Sequence, residues 1–472
     1  MWLRMPVALT LSIALSVSSC AGWGPQDVTI EISTEKRYQT FTGWEALSQT
    51  GEAHSPNQPR YRQKLIDLSV SELGINRLRL EVRSGAENRR DYFSDWQSGK
   101  ISEEEFNRSR YYVLNDNQDP DVASEAGFHF SELDLNIESV IIPYKDRLKK
   151  EQQDLYVNLC FVDFGDDPPE DSLKLAKHPE EYAEFIVAVF RHMDRKYGFV
   201  PDALEVILEP DNDTDWTGED IGRAVSAASR RLKEAGFEPE FIAPSAKDAG
   251  LVPALVDGIS KTPGAFEVID EISYHLYRGG TETNLLKIAD IARRSGKRTS
   301  MLEFIAADHD DLYRDLVYGN ASAWQQYTLT FPGGEDNGGH YFITFPEGPK
   351  ESEVEWGKRT KLLKQYFNHI RPGAVRIEAH SENSNFRPVA FSGADSGVVL
   401  LVNADGFGRL TVSGLPAGRY AVCHVGFDGN SKDEASVTSG ESGNLEVRVP
   451  FPGVLAVYNE QKFAPIAECG VN

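Results

Sequence analysis

The chain has 472 residues and a formal net charge of −24. That length accommodates one large domain plus a smaller one, with a core that needs no staple for reasons of size. The acidic balance argues against a nucleic-acid partner, which requires a basic face, and more weakly against polyanionic substrates.

The first element is a targeting segment. Arg4 precedes the apolar stretch Val7–Val17, which is too short to span a bilayer as a mature helix. It is followed by Val17-Ser-Ser-Cys20-Ala, which resembles the lipobox of bacterial lipoproteins. Residues 1–20 are therefore read as signal and lipobox, with Cys20 acylated. The chain is then exported and lipid-anchored to a bacterial membrane, in the periplasm or at the cell surface. The alternative is an ordinary secretory signal with an incidental Cys, giving a secreted protein. No later stretch reaches the roughly 18 apolar residues of a membrane span.

From about residue 40 to 370, short apolar runs alternate with helical spacing. The predicted strands are 40–44, 76–81, 155–162, 203–208, 240–243, 271–274, 298–302 and 340–345. Helices are predicted near 60–73, 132–150, 179–197, 217–235, 248–261, 283–295, 310–328 and 355–369. In the sixth of these, Leu285, Leu286, Ile288, Ile291 and Ala292 keep helical spacing and Gly296 ends the run. Such alternation predicts a parallel sheet, and a count near eight predicts a closed (β/α)8 barrel over 27–370. A doubly wound open sheet is the alternative, but no Gly-rich phosphate loop follows the first strand. The stretch 84–131 is too long for an ordinary connection; it is read as a wall of the cleft bearing Trp96, Tyr111 and Tyr112, or as disorder or simple packing.

After Arg371-Pro-Gly373 the pattern changes to short strands separated by turn signals such as Asp405-Gly406 and Pro416-Ala-Gly418. Residues 371–461 are read as an attached C-terminal antiparallel β-sandwich. The alternating segment 28–33 precedes the barrel and is a candidate strand of that sandwich. Cys160 lies in an apolar run and reads as a buried thiol. Cys423 and Cys469 either pair in an oxidising compartment or are both free. There is no CxxC or HExxH, so no metal site is suggested.

The chemistry concentrates at two strand ends. Glu209 follows the apolar run 203–208, and Glu303 follows Ser300-Met-Leu302. Between them lies Ile272-Ser-Tyr-His-Leu-Tyr277. Two carboxyls on one rim of a parallel barrel, about 5–5.5 Å apart, suit a retaining glycosidase. Glu209 is the candidate general acid/base and Glu303 the candidate nucleophile, kept ionised by a Tyr and an Arg. Arg79 is the candidate Arg, although Arg77 shares its face. His275 and Tyr277 close the sixth strand and are within reach of nucleophile or sugar. Trp44, Trp216 and Trp324 read either as sugar-stacking surfaces or as packing. Glu45 and Asn212 are candidate contacts to substrate hydroxyls.

These residues carry a family resemblance. Phe41-Thr-Gly-Trp44 looks like the first-strand motif of glycoside hydrolase family 30, within the clan A retaining glycosidases. Glu209-Pro210 and Glu303 match that family's two catalytic positions. The segment 364–377, Lys-Gln-Tyr-Phe-Asn-His-Ile-Arg-Pro-Gly-Ala-Val-Arg-Ile, is similar to its hinge from the last barrel helix into the side sandwich. The resemblance implies a (β/α)8 barrel with an attached sandwich, retaining hydrolysis of a β-linked oligo- or polysaccharide, and no metal or organic cofactor. One departure stands out: the clan usually has Asn before the acid/base, and Leu208 stands here. The rival readings are another clan A family and a non-catalytic glycan-binding lipoprotein on a degenerate barrel.

Overall fold

The computed structural model describes residues 24–50, 57–165, 169–212, 216–331, 338–344, 353–393, 395–439, 443–463, 465–467 and 469. The signal and lipobox, with Cys20, lie outside the described residues. Among the described residues, no helix is long and apolar enough to cross a membrane.

Eight parallel strands close into a barrel. They are β2 (Gly43–Thr50), β3 (Arg77–Arg83), β4 (Tyr156–Val162), β5 (Ala203–Glu205), β6 (Glu240–Asp248), β7 (Ile269–Arg278), β8 (Arg298–Glu303) and β9 (Ala321–Thr330). They pair in chain order, and β9 pairs with both β8 and β2 to close the ring. Helices between the strands cover the outside with apolar faces. The one at Pro179–Tyr197 buries Phe185, Ile186, Val189 and Phe190. The one at Glu282–Ser295 ends where Gly296 takes a φ of 69°, a left-handed cap that a residue without Cβ adopts freely.

Two strand readings change. The eighth barrel strand is Ala321–Thr330, within a stretch that reads as helix over 310–328. The helix His309–Val317 stops before Asn320, whose φ of 55° turns the chain out of helical geometry. The helical reading failed because Gln325 and Thr328 are polar yet buried, so the strand lacks simple apolar alternation. The segment around 340–345 instead gives β10 (Gly339–Thr344), which pairs with β9 beyond the barrel and with β11 (Glu353–Trp356). In β5 the regular ladder ends at Glu205, but pairing continues to Glu209. Val206 N–H donates to Ile242 O, Leu208 N–H to Phe161 O, and Glu209 N–H to Ser245 O.

The second sheet is formed by β1 (Gln26–Thr40), β12 (Val375–Ser381), β13 (Phe386–Ser392), β14 (Val398–Ala404), β15 (Gly408–Ser413), β16 (Gly418–Gly426), β17 (Ser431–Ser439), β18 (Leu445–Val449) and β19 (Gly453–Asn459). It curls into a mostly antiparallel sandwich. Residues 28–33 fall within β1, which lies between β12, antiparallel, and β15, parallel. Alternation puts Val28, Ile30 and Ile32 in the sandwich core with Leu400, Leu410 and Leu455. The helix Thr360–His369 bridges to the barrel: Tyr366 donates to Asn403 at 2.6 Å, and the His369 ring packs on Tyr458 at 4.9 Å. Cys423 and Cys469 are disulfide-bonded, and Cys160 is a buried free thiol.

Candidate active site

The barrel lumen is lined by the inward side chains of each strand. At its base it is ionic rather than apolar. Arg77 bonds Glu45 at 2.7 Å and Glu271 at 3.1 Å, and Asn158 donates to Glu45 at 3.0 Å and to Glu205 at 2.9 Å. These groups are fully buried, so each charge depends on its partner. Glu45 therefore does not reach the mouth. Its strand runs on to Thr50, leaving it near the N-terminal end of the barrel, tied to Arg77.

Trp44 and Trp324 point outward from their strands and are wholly buried. Trp44 Nε1 donates to Ile370 O at 2.9 Å, and its ring packs on Phe41 and Phe367. Trp324 Nε1 donates to Asp315 at 2.9 Å. Neither presents a face to a sugar, so the stacking expectation gives way to packing. Trp216 is 5% exposed and lies edge-on to Phe161 and Tyr182, with its Nε1 toward Asp163 at 3.4 Å.

The other expected residues meet at the mouth formed by the strands' C-terminal ends. Arg79, from β3, is wholly buried and reaches across the lumen to hydrogen-bond Glu303. Tyr277 donates its hydroxyl to the other Glu303 oxygen at 2.7 Å. Burial alone would raise the Glu303 pKa, but the Arg79 charge outweighs it, helped by His275 and Tyr277, and holds it below the usual carboxylate range. The Tyr277 hydroxyl is pushed the other way by burial and by the adjacent carboxylate, so it stays a donor. The strand register pairs His275 with Glu303 across β7 and β8.

Glu209 sits opposite with a different set of partners. His275 Nδ1 is 2.9 Å from Oε1, and Asn212 Nδ2 donates to Oε2 at 2.9 Å. Burial lowers the His275 pKa, but its bond to Glu209 and the charges of both glutamates prevail and raise it. Glu209 has a φ of 45°, a left-handed conformation uncommon for a residue with a side chain. Strain of that kind clusters where a side chain must be aimed. The turn behind it is pinned: Asp211 accepts from the backbone N–H of Lys247 and Asp248 at 2.7 and 2.9 Å, and Lys247 Nζ donates to Asn212 at 2.6 Å. Asn212 thus acts on Glu209 directly. Leu208, 4% exposed, packs with Cys160, Val162, Tyr111 and Phe164, and brings no polar group to the mouth.

One donor atom from each of Glu209, His275 and Glu303 lies within 4.8 Å of the others, a spacing that also admits a cation. The surroundings suit a cation poorly. All four carboxylate oxygens already have hydrogen-bond partners, and the Arg79 guanidinium occupies the side of Glu303 a metal would share.

Sequence reasoning missed Glu81, 3.6 Å from Arg79, and the pinning pair Asp211 and Lys247. Asp211 has a sequence signal, as it follows Glu209-Pro210 directly. Lys247 has none, because β6 is legible only to Ala243.

Fold and site define a (β/α)8 barrel with a side sandwich and two buried, differently partnered glutamates on its C-terminal rim. No family model and no curated protein matches the chain. Solved structures do match along nearly its whole length. The catalytic domain of a GH30 xylanase C from Talaromyces cellulolyticus aligns with a TM-score of 0.67 at 14% identity, over 91% of this chain and 99% of its own. A conserved exported protein from Bacteroides fragilis aligns with a TM-score of 0.66 at 14% identity, over 91% and 100%. An endo-β1,6-glucanase aligns with a TM-score of 0.62 at 16% identity, over 91% and 94%. The chain has the fold of glycoside hydrolase family 30 and resembles that family at low identity.

Proposed function

We propose that this protein is a retaining glycoside hydrolase acting on a β-linked oligo- or polysaccharide, with Glu303 as nucleophile and Glu209 as general acid/base. The observation that carries the reading is the pair itself. Two buried carboxylates approach to within 4.8 Å, in the range of double displacement rather than of a bridging water. Their environments differ in the required sense. Arg79 and Tyr277 keep Glu303 ionised, while Glu209 is held by His275 and Asn212 with no Arg or Lys on it. A module that only binds glycan has no use for this asymmetry.

In the first step Glu303 attacks the anomeric carbon and Glu209 protonates the departing oxygen, giving a glycosyl ester on Glu303. In the second, Glu209 takes a proton from water as that water attacks the same carbon and releases Glu303. The barrel unit, 27–370, carries these groups, and the 371–461 sandwich braces it. The acylated Cys20 would hold the enzyme on a bacterial membrane after export; a solved structural relative is described as exported.

The test is a screen of polysaccharides and aryl β-glycosides with protein lacking residues 1–20. Glu303→Ala should abolish turnover. Glu209→Ala should retain turnover only on aryl glycosides whose leaving group needs no proton, and azide should restore it with a β-azide product. Full activity in Glu303→Ala would remove the assignment. Mass spectrometry of the mature N-terminus tests the anchor: an unmodified terminus beginning after Cys20 rules it out.

A further inference from the structure

The floor of the barrel, at the end away from Glu209 and Glu303, has a cavity of its own. Arg298 and Thr299, which begin β8, and Asn320, which precedes β9, line an open space of about 720 Å³. Its other walls come from β1, β12 and the helix Glu282–Ser295. That volume suits a compact organic molecule.

Charge sets this cavity apart. In a chain of net charge −24, five cations line it, Arg37, Arg293, Lys297, Arg298 and Arg376, against one anion, Asp290. Two of the five are matched. Arg298 bonds Glu240 at 2.6 Å and lies 3.5 Å from Glu271, and Arg293 bonds Asp290 at 2.6 Å. Asp290 is shared with Arg294, also at 2.6 Å. Among the described residues, Arg37, Lys297 and Arg376 have no carboxylate at salt-bridge distance. Lys297 bonds the backbone oxygen of Ile269 at 2.6 Å, with Asp270 and Glu267 acting on it from further away. Glu378 acts on Arg376 in the same distant way and is itself engaged by Tyr38 and Lys36.

Arg376 is the telling member, because it is only 8% exposed. Its Nε donates to Gln39 at 2.8 Å and its Nη2 to Asn320 at 3.3 Å, and its guanidinium lies 3.8 Å from the centre of the Tyr38 ring. Gln39 is held with its oxygen toward the guanidinium, since its Nε2 donates to Leu316 O at 2.8 Å. Gln39, Asn320 and Tyr38 all line the same cavity. Burial pushes the Arg376 pKa down to about 10. A guanidinium moved from water onto neutral acceptors keeps much of its desolvation cost, and an oxyanion beside it offsets that cost with bidentate, charge-assisted bonds. Tyr38 and Leu286, 43% and 48% exposed, add apolar surface to the same walls. A metal ion would be repelled here, and a neutral sugar would leave the cations unmatched. A nucleic acid needs a basic face that the acidic chain does not offer.

We propose that this cavity binds a small organic oxyanion, a phosphate or carboxylate on a ring or short apolar body, separately from whatever occupies the barrel mouth. The test is calorimetry at low ionic strength on protein lacking residues 1–20, titrated with phenyl phosphate, benzoate and, as the uncharged control, benzyl alcohol. One-site binding of an anion is expected, and the tighter of the two tells a phosphate occupant from a carboxylate one. Arg376→Gln should weaken that binding at least about tenfold, the loss of a charge-assisted hydrogen bond. The double variant Arg37→Gln with Lys297→Met should weaken it by a similar factor, and it decides the matter if Arg376→Gln does not fold. Glu303→Gln should leave the affinities unchanged, which separates this site from the mouth. Leu286→Ala should weaken phenyl phosphate but not inorganic phosphate; an effect on neither removes the apolar body from the proposal. The proposal is overturned by no saturable binding of either anion, by equal binding of benzyl alcohol, or by affinities that the double variant does not move.

Discussion

Replacing Tyr277 by Phe isolates the proton economy of the proposed site. The tyrosine hydroxyl donates a 2.7 Å hydrogen bond to Glu303, and Phe removes that donor while keeping the ring that lies edge-on to Phe304. A hydrogen bond to a buried charged acceptor contributes about 1.5–3 kcal/mol, which corresponds to roughly one to two pKa units on Glu303. The direction is fixed by the cause: without the donor, burial pushes the carboxyl up against Arg79 and His275 only. Because the nucleophile must be ionised, the acid limb of kcat/KM moves to higher pH by about that amount. Stability follows the same sign. A depressed carboxyl contributes stability above its unfolded pKa and loses it as pH falls through the folded one, so the variant is less stable at neutral pH and its difference from wild type fades in acid. The assay is a pH series of kcat/KM on an aryl glycoside that the wild type cleaves, beside thermal melts at the same pH values. A variant that melts normally at neutral pH and keeps the wild-type acid limb refutes the argument.

Asn212→Ala removes the donor that positions Glu209 and should lower kcat/KM about tenfold on glycosides whose leaving group needs a proton, from roughly 1–1.5 kcal/mol, while sparing activated aryl glycosides; Lys247→Met should act the same way by less, and unchanged rates in both deny Asn212 its role. Arg77→Met leaves Glu45 buried without its cation and Glu271 with only Arg298 at 3.5 Å, and should cost about 3–5 kcal/mol in urea unfolding; a cost below about 1 kcal/mol would mean that the lumen charges are held otherwise. Burial pushes Glu87 up to about 8. A raised carboxyl favours the native state fully below its unfolded pKa near 4.5 and loses that contribution as pH climbs toward 8, so Glu87→Gln should flatten the dependence of Tm on pH across this window. Equal slopes in variant and wild type would contradict it.

The barrel was legible where a strand's two faces differ in polarity or where a glycine closes a helix, as at Gly296. It was not legible at 321–330, because that strand buries glutamines and threonines in a polar lumen and its outward Trp324 fits a helical pattern as well as an extended one. Glu209 and Glu303 were readable because each follows an apolar run directly. Trp44, Trp324 and Glu45 were misplaced for a shared reason: the end of a strand decides what reaches the mouth, and β2 runs six residues past Trp44. The Arg79 bond to Glu303 spans the lumen over a sequence separation of 224, which no local pattern encodes. Lys247 and Glu81 become partners of the site only once the barrel closes.

The place of β1 has a consequence for the order in which the molecule can be finished. Ile30 pairs with Ser381 and, on its other edge, with Val412. The opening strand of the described chain therefore keeps both its backbone edges open until hundreds of later residues have been made. Loop closure over such a span is slow, and open strand edges invite wrong partners in the meantime. Nor can the barrel be released early with a finished partner sheet, because that sheet lacks a central strand until the two ends of the polypeptide meet. Completion is thus a single late event, and a chain truncated before β15 would display two bare edges rather than a smaller, tidy protein.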